Sequence, residues 1–227
     1  MSFLFAPFVR ARFVRLAVTA LTVSFIPMVA GAQAVSGLFN TGVNGTGVRL
    51  ATGSGATDTH YKVVENVVNN VMQQAIVANY PAYAFDANSS YIWQQADGNP
   101  GGVTRTFRTT FTLNAGYNPL TAVLNGAWST DNAGTNIILN NVASGKTSAG
   151  FNSFTSFSIT NGFVVGLNTL DFVVRDDGSP GALAVTNLAV IAAPVTPPTN
   201  TVPEPSTVAL VAAGIAVIAA VRRKHNA

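Results

Sequence analysis

Two tryptophans could do the most distinctive chemistry in this sequence, which is to stack on the flat faces of sugar rings. Each has a carboxylate close by in the sequence, Asp97 for Trp93 and Asp131 for Trp128, and Tyr91 precedes the first. Aromatic faces beside polar groups suit an amphipathic ligand such as a pyranose. We therefore predict a ligand site formed by Trp128, Asp131 and Trp93. The alternative is that both tryptophans belong to the hydrophobic core.

Trp128 is the better candidate of the two because of its neighbours. The dipeptide Asn125-Gly126 predicts a turn just before it. The polar residues 129–132 follow it. A tryptophan next to a turn and a polar segment is expected near a surface.

Catalytic groups are scarce between Val35 and Pro205. His60 is the only histidine there, and no Gly-x-Ser-x-Gly motif accompanies it, so a Ser-His-Asp triad is not indicated. A glycosidase needs two carboxyl groups, and the only glutamates are Glu65 and Glu204. We predict no catalytic residues and a protein that is not an enzyme. The alternative is a secreted, carbohydrate-active hydrolase.

The sequence contains no cysteine, which excludes disulfides, thiol nucleophiles and zinc–thiolate sites. Calcium requires several oxygen ligands, which Asp97-Gly98-Asn99 and Asp131-Asn132 could supply in part. Both segments are also typical of turns. We therefore predict no metal ligands and no cofactor, with a structural calcium ion as the alternative.

The charge balance argues against nucleic acid as a partner. The whole chain carries a net charge of +3, but between Val35 and Pro205 six basic residues face nine acidic ones, a net charge of −3. No cluster of lysine or arginine is available there to neutralise a run of phosphates.

The segment 35–193 is long enough for one domain with a proper core, and its composition favours strands joined by tight turns. Residues 105–113 place Phe107, Phe111 and Leu113 on one face and Arg108 on the other, which is the two-residue period of a half-buried strand. Further strands are predicted at 120–124, 135–139, 157–159, 169–175 and 183–191, with turns at 140–141 and 176–181. This regular spacing predicts an all-β fold, a single antiparallel β-sandwich.

One stretch does not fit this pattern. Between Val63 and Ile76 the apolar pairs recur every four residues, which is a helical spacing, although six of the residues are valine or isoleucine. We predict a short strand at 60–64, followed by an irregular or briefly helical insertion, and leave the structure of 65–90 open.

The N-terminal segment 1–34 has the order of a secretory signal peptide. Arg10, Arg12 and Arg15 precede an apolar run at 16–26, and small residues at 30–34 offer cleavage after Ala32 or Ala34. An uncleaved anchor is the alternative.

The C-terminal 25 residues combine an extended segment, an apolar segment and a basic end. Pro203 and Pro205 keep the chain extended, so that a helix cannot begin earlier. Residues 207–221 carry no charge and predict a transmembrane helix, although their length of about 22 Å is short for a hydrocarbon core of about 30 Å. Arg222, Arg223 and Lys224 then predict a stop on the cytoplasmic side.

This tail resembles the PEP-CTERM sorting signal of exported proteins of Gram-negative bacteria. The resemblance rests on Pro203, Glu204 and Pro205, followed by the apolar segment and the basic triplet Arg222–Lys224. It implies an exosortase-type membrane enzyme as partner, which recognises the Pro-Glu-Pro motif and removes the helix. It further implies a protein that is exported, anchored in the inner membrane before processing and then moved to the cell surface or extracellular matrix.

The exported domain is similar to galactose-binding-like jelly rolls. The similarity is carried by Ala127-Trp128-Ser129-Thr130-Asp131-Asn132, by Ile137-Ile138-Leu139-Asn140-Asn141, and by residues 166–172 (Gly-Leu-Asn-Thr-Leu-Asp-Phe). The early Asp-x-His-Tyr at 58–61 resembles a feature of other exported proteins with this tail. Such domains serve several functions, so the resemblance implies the fold more than the activity.

Together these observations predict four segments: a signal peptide (1–34), a β-sandwich (35–193), a proline-rich linker (194–202) and a sorting signal (203–227). The predicted function is that of a non-catalytic surface or matrix protein that binds exopolysaccharide.

Overall fold

The computed structural model describes residues 33–35, 37–78, 80, 82–195 and 205–225. Every strand pairing within these residues is antiparallel, and the one α-helix follows the last strand. The elements are β1 (Gln33–Val35), β2 (Thr57–Val68), β3 (Val71–Val77), β4 (Ile92–Trp93), β5 (Thr104–Leu113), β6 (Val123–Asp131), β7 (Ala133–Leu139), β8 (Val142–Ala143), β9 (Thr155–Ile159), β10 (Gly166–Arg175), β11 (Ala182–Ala192) and α1 (Pro205–His225).

The strands form one curled sheet in the order β8-β7-β10-β5-β2-β3-β4-β11-β6-β9, with β1 added along β11. The short β4 joins two layers, because Ile76 of β3 pairs with Trp93 on one side and Leu183 of β11 pairs with Ile92 on the other. From β5 onwards the long strands alternate between the layers, which is the connectivity of a jelly roll. The predicted all-β antiparallel sandwich is confirmed.

The core lies between the two layers, and Phe172 of β10 is at its centre. The ring centroid of Phe172 lies 5.8 Å from that of Trp128 and 6.0 Å from that of Phe157, both of which come from the opposite layer. Full burial of each such side chain contributes about 1.5–3 kcal/mol to stability. These contacts hold the layers together without disulfides, because the chain has no cysteine.

The predicted strand at 105–113 is confirmed together with its two faces. Phe107, Phe111 and Leu113 are buried. On the other face, Arg108 donates two hydrogen bonds, of 2.8 and 2.7 Å, to the carboxylate of Asp171 on β10. These two residues are direct partners in the β5–β10 register.

The prediction for the stretch from Val63 to Ile76 is wrong. The strand β2 continues to Val68, and β3 begins at Val71, so the segment is a β-hairpin rather than a helical insertion. Asn69 and Asn70 form its turn with φ of 51° and 63°, the left-handed conformation that asparagine tolerates well. The β-branched residues therefore decide the conformation against the helical spacing.

The predicted turn at Asn125-Gly126 and the predicted strand at 120–124 are also corrected. Both residues of the dipeptide lie inside β6, which begins only at Val123 after a 3₁₀ turn at Pro119–Thr121. Gly126 is required by close packing, since a Cβ atom there would lie 2.6 Å from the Phe157 ring. Trp128 therefore does not follow a turn.

The two ends of the domain differ slightly from the predicted boundaries. Gln33 and Ala34, assigned to the signal peptide, pair with β11 as part of β1. At the other end, Pro194 of the predicted linker bridges to Tyr117, and the Val195 amide donates to the Gly116 carbonyl over 2.8 Å. The signal-peptide residues 1–32, the linker residues 196–202 and two sorting residues, Pro203 and Glu204, lie outside the described residues.

The C-terminal helix α1 spans Pro205–His225, so it begins two residues before and ends four residues after the predicted helix at 207–221. Pro205, which we predicted to be extended, is the first helical residue, a position that proline tolerates. The last turn of the helix carries Arg222, Arg223 and Lys224. The side chains described along it, from residue 210, are exposed. Within the described residues, none of the helices combines the length and the apolar character that crossing a membrane requires. The predicted transmembrane helix at 207–221 is not confirmed.

Candidate functional site

Both tryptophans of the predicted ligand site are core residues. Trp128 points from β6 to the opposite layer, and Trp93 lies on β4 with its ring centroid 5.3 Å from that of Phe107. Each is fully buried. No face of either ring is open to a ligand, because each ring is covered by the sheet that faces it. This corrects the predicted binding role of Trp93 and Trp128 and agrees with the alternative stated for them.

Glycines provide the space that these rings occupy. A Cβ atom on Gly134 would overlap the Trp128 ring, and one on Gly181 would overlap the Trp93 ring. The tryptophans therefore sit in slots that neighbouring backbone forms around them. Such a slot fixes the ring position and excludes water.

Asp131, the third predicted site residue, lies at the end of β6 and is also buried. Its Oδ2 accepts a short hydrogen bond from the Tyr83 hydroxyl, whereas its Oδ1 has no hydrogen-bond partner among the described residues. Burial raises the pKa of Asp131 above its ordinary value. The carboxylate is thus separated from the surface by a tyrosine that sequence reasoning did not consider.

Tyr83 belongs to a surface cleft of about 460 Å³, which we call the tyrosine cleft. The segment between β3 and β4 forms most of it, by folding over the outer face of β6 and β11. The lining residues that matter most for its chemistry are Arg49, Tyr80, Tyr83, Phe85, Asp86 and Tyr91.

The floor of the tyrosine cleft is a set of packed rings held by hydrogen bonds. Tyr83 stacks between Tyr80 and Phe151, with centroid distances of 4.7 and 4.4 Å. The Tyr80 hydroxyl donates to the Gly181 carbonyl over 2.7 Å, and the Tyr91 hydroxyl donates to Ser129 Oγ over 2.8 Å. These bonds anchor the rings to β6 and to the start of β11, so the floor is preorganised.

Burial keeps the phenols of the floor protonated. It raises the pKa of Tyr91 to about 12 and raises the pKa values of Tyr80 and Tyr83 well above the ordinary value. For Tyr83, the hydrogen bond to Asp131 adds to the same effect. At neutral pH these phenols are uncharged already at the ordinary pKa of about 10, and burial extends the uncharged state into alkaline solution.

The rim of the tyrosine cleft carries its charged groups and its most exposed ring. Phe85 is 78% exposed, and the guanidinium carbon of Arg49 lies 5.2 Å from the centre of its ring. Arg49 is fixed by donating to the Ser89 carbonyl over 2.7 Å and to the Thr52 hydroxyl over 2.6 Å. An arginine held over an aromatic face forms a cation–π contact.

Asp86 is the remaining charged residue of the rim, and one of its two carboxylate oxygens already accepts hydrogen bonds. Its Oδ1 accepts hydrogen bonds from the Asn88 amide, the Ser89 hydroxyl and the Thr186 hydroxyl, at 2.8, 3.0 and 2.9 Å. The last bond attaches the rim to the middle of β11. The described lining of the cleft thus offers one cation, one carboxylate and several rings.

Sequence reasoning found only Tyr91 of these cleft residues. Tyr80, Tyr83 and Phe85 lie in the stretch that was left open, and Arg49 lies in an early loop. Three aromatic residues within six positions were the signal that could have indicated this cluster.

The residues weighed for catalysis do not join the tyrosine cleft. Asp58 is buried and accepts from the amides of Gly42 and His60 over 2.6 and 2.8 Å, and burial raises its pKa. The His60 ring stacks on Phe39 with a centroid distance of 3.8 Å. Neither Asp58 nor His60 lines the cleft. Their contacts organise the loops that precede β2.

The first segment considered for calcium, Asp97-Gly98-Asn99, is engaged in local bonds. Asp97 accepts from the amide and the side chain of Asn99, both over 3.0 Å, and the side-chain bond in particular lowers its pKa. Among the described residues, no three or more histidine, aspartate or glutamate side chains are grouped closely enough to hold a metal ion.

Comparison with known protein families identifies the C-terminal tail. The model of the PEP-CTERM protein-sorting motif matches residues 201–224. The chain carries a PEP-CTERM sorting motif. The predicted resemblance is thus confirmed for about a tenth of the sequence, and this motif indicates an exported protein. A comparison with curated proteins finds no match.

Several solved structures are similar to the exported domain, all at low identity. A Stig cyclase from Fischerella sp. TAU is 9% identical, with 73% of this chain and all of that chain covered and a TM-score of 0.41. A CBM35 from Paenibacillus barcinonensis is 16% identical, with 56% and 93% covered and a TM-score of 0.32. The GH26-CBM35 β-(1,4)-mannanase of Podospora anserina is 16% identical, with 54% and 25% covered and a TM-score of 0.29.

Proposed function

We propose that this chain is an exported, non-catalytic surface or matrix protein that binds extracellular polysaccharide in the tyrosine cleft. The observation that carries the proposal is the exposed Phe85 ring, held beside Arg49 above a floor of packed tyrosines. A flat apolar ring can cover one face of a pyranose, while arginine and carboxylate groups bond its hydroxyls. A preorganised cleft loses little conformational entropy on binding.

The carboxylates favour binding over hydrolysis. Among the described residues, Asp86 is the only acidic one that lines the tyrosine cleft, and one of its oxygens already accepts three hydrogen bonds. Hydrolysis of a glycosidic bond uses two carboxyl groups on opposite sides of that bond. Asp131 has the raised pKa of a general acid, which is the observation in favour of the hydrolase alternative. However, Tyr83 covers it.

The sorting motif supplies the other half of the proposal. An exosortase-type membrane enzyme recognises Pro203, Glu204 and Pro205 and removes the helix behind them. Before processing, the helix and Arg222–Lys224 hold the protein at the inner membrane. After processing, the domain joins the cell surface or the extracellular matrix.

Binding is tested with the mature protein and the exopolysaccharide of the producing cell, by isothermal titration calorimetry. Phe85→Ala should weaken binding about tenfold or more, equivalent to about 1.4 kcal/mol, because it removes the exposed ring. Leu120→Ala is the matched control, since Leu120 is an equally exposed apolar residue that does not line the cleft. Equal binding by the wild type and Phe85→Ala would show that the tyrosine cleft is not the polysaccharide-binding site.

Sorting is tested separately by intact mass spectrometry of the protein recovered from the cell surface. We expect a C-terminus that lacks Arg222 and everything after it. A surface protein that still carries residues 222–227 would contradict processing and leave the polysaccharide proposal untouched.

A further inference from the structure

Both ends of the described domain lie at the same end of the sandwich. Gln33, where β1 begins, pairs with Ala192, the last residue of β11. Three residues further on, the Val195 amide is bonded to the loop after β5. The segments that precede and follow the domain therefore both leave from this end.

Three loops and the exit of the chain form this surface, which we call the linker end (residues 114–121, 140–143, 160–167 and 193–195). They are connected by short bonds. Gly166 pairs with Leu113, Asn140 Nδ2 donates to the Gly162 carbonyl over 2.9 Å, and the Asn118 amide donates to the Ala193 carbonyl over 2.9 Å. The linker end is thus one continuous surface.

The linker end contains no Asp, Glu, Lys, Arg or His, although the domain as a whole carries charge. The opposite end of the same strands is different. Asp131, Arg175, Asp176 and Asp177 lie there, where β6 and β10 end. Removing the linker end from water therefore costs much less free energy than removing the opposite end, which would require charged groups to be desolvated.

The linker end also exposes apolar side chains. Leu120 is 89% exposed and Leu167 is 66% exposed. Four valines at the same end are also exposed: Val142, Val164, Val165 and Val195. Several exposed apolar side chains at one uncharged end of a domain are a sign of contact with another phase or molecule.

We propose that the linker end rests on the lipid bilayer surface while the sorting helix still holds the protein at the membrane. Nine residues, 196–204, connect Val195 to α1, so the linker end stays within about 35 Å of that helix even when the connection is fully extended. Exposed leucine and valine side chains can enter the interface, and the linker end has no charged residue of its own to desolvate. Lys146, which lies beside Thr160 and Asn161 at its border, can keep its ammonium group in water. A bilayer suits this surface because the uncharged segment 207–221 follows it in the chain after this short connection.

This orientation turns the tyrosine cleft away from the membrane. Tyr83 contacts Asp131 and the Pro180 carbonyl, which both lie at the end opposite to the linker end. The proposal rests on the membrane-held stage of the proposed function and is independent of polysaccharide binding.

The absence of cysteine makes a direct test possible. In the full-length chain, Leu120→Cys, Leu167→Cys and Gln95→Cys each provide one site for an environment-sensitive fluorophore. Gln95 is exposed and follows β4 at the end of the sandwich opposite to the linker end, so it is the matched control. The chains are reconstituted into vesicles that contain nitroxide-labelled lipids, and quenching by the lipids is measured.

We expect blue-shifted emission and at least about threefold stronger quenching for labels at 120 and 167 than for the label at 95. Equal quenching at all three sites would overturn the proposal. A blue shift at 120 without lipid would overturn it as well, because a second copy or the chain's own helix would then cover the surface.

A second variant tests the same surface without a label at Leu120, the most exposed of these residues. Leu120→Asp combined with Val165→Asp should reduce the quenching of the label at 167 severalfold, since charge at the interface is unfavourable. Unchanged quenching would contradict the proposal. Polysaccharide binding by the same variant should be unaltered, so failure of this inference and failure of the tyrosine cleft are distinguishable.

Discussion

The buried tryptophans and the tyrosine cleft are two aromatic clusters that a sequence cannot tell apart by residue type. Trp93 and Trp128 lie in strands and face the opposite layer, where backbone slots enclose them. Tyr83 and Phe85 lie in the segment between β3 and β4, which folds over the outer face of β6 and β11. The first cluster is fixed by the sheets, whereas the second covers a sheet and has one side open to solvent. Aromatic residues become a binding surface only where no further layer covers them.

The largest effect that tests this comparison is expected from Trp128→Ala. Removing a fully buried indole should lower the free energy of unfolding by about 3–5 kcal/mol, measured by urea denaturation. Polysaccharide binding per folded molecule should persist, because the ring does not reach the tyrosine cleft. Loss of binding in a variant that remains folded would show that Trp128 contributes to the binding site.

The next effect is expected from Gly134→Ala, which places a methyl group against the Trp128 ring. Overpacking of this kind should destabilise the protein by about 1–3 kcal/mol. Gly116→Ala is the matched control, since no atom lies within 4 Å of its added Cβ. It should change stability by less than about 0.5 kcal/mol. If the two variants unfold at the same urea concentration, the tryptophan slot is not tightly packed.

Tyr83→Phe probes the one residue that links the two clusters. The ring remains in the tyrosine cleft, but Asp131 loses its hydroxyl donor. We expect a loss of about 1–2 kcal/mol in unfolding free energy, with polysaccharide affinity retained. In the background of Asp131→Asn the effect should shrink, and the double-mutant cycle measures this coupling. A fall in affinity would show that the hydroxyl itself contacts the ligand.

The smallest effect concerns the pH dependence of stability. Burial raises the folded pKa of Asp131 above its unfolded value of about 3.9, so the stabilisation from this group is present below that pH and is lost as the pH rises through the folded pKa. Asp131→Asn should therefore gain stability relative to the wild type between acidic and neutral pH, as urea denaturation at several pH values can show.

The control for this measurement has the opposite sign. Hydrogen bonds from Asn99 lower the pKa of Asp97, so its contribution is present above the unfolded value and is lost as the pH falls through the folded pKa. Asp97→Asn should lose stability relative to the wild type towards neutral pH. Parallel pH profiles for the two variants would contradict the assigned environments.

The sequence predicted those parts of the fold that depend on short-range patterns. The alternation at 105–113 gave the faces of β5 correctly, and the asparagine pair at 140–141 marked the end of β7. The errors arose where a local signal competed with packing. Asn125-Gly126 is a good turn sequence, yet it lies within β6, because Gly126 admits the Phe157 ring of the neighbouring strand.

The candidate site could be predicted only in small part. Trp93 and Trp128 were chosen for their chemistry, but their exposure depends on Phe107 and Phe172, which are distant in the sequence. Tyr91 was recognised, whereas Arg49 was not, because its approach to Phe85 requires two loops to meet. Contacts between two loops that are distant in the sequence produce no periodic pattern in it.

By itself the sequence determined the sorting motif, the antiparallel β class and the charge balance, since each depends on residue order or composition alone. The motif at 201–224 can be identified from the order of its residues alone. Tertiary structure decided which aromatic residues are open to a ligand, how Tyr83 separates Asp131 from the surface, and which end of the sandwich lacks charge. These properties depend on which segments cover one another, and burial is set by contacts between residues that are far apart along the chain.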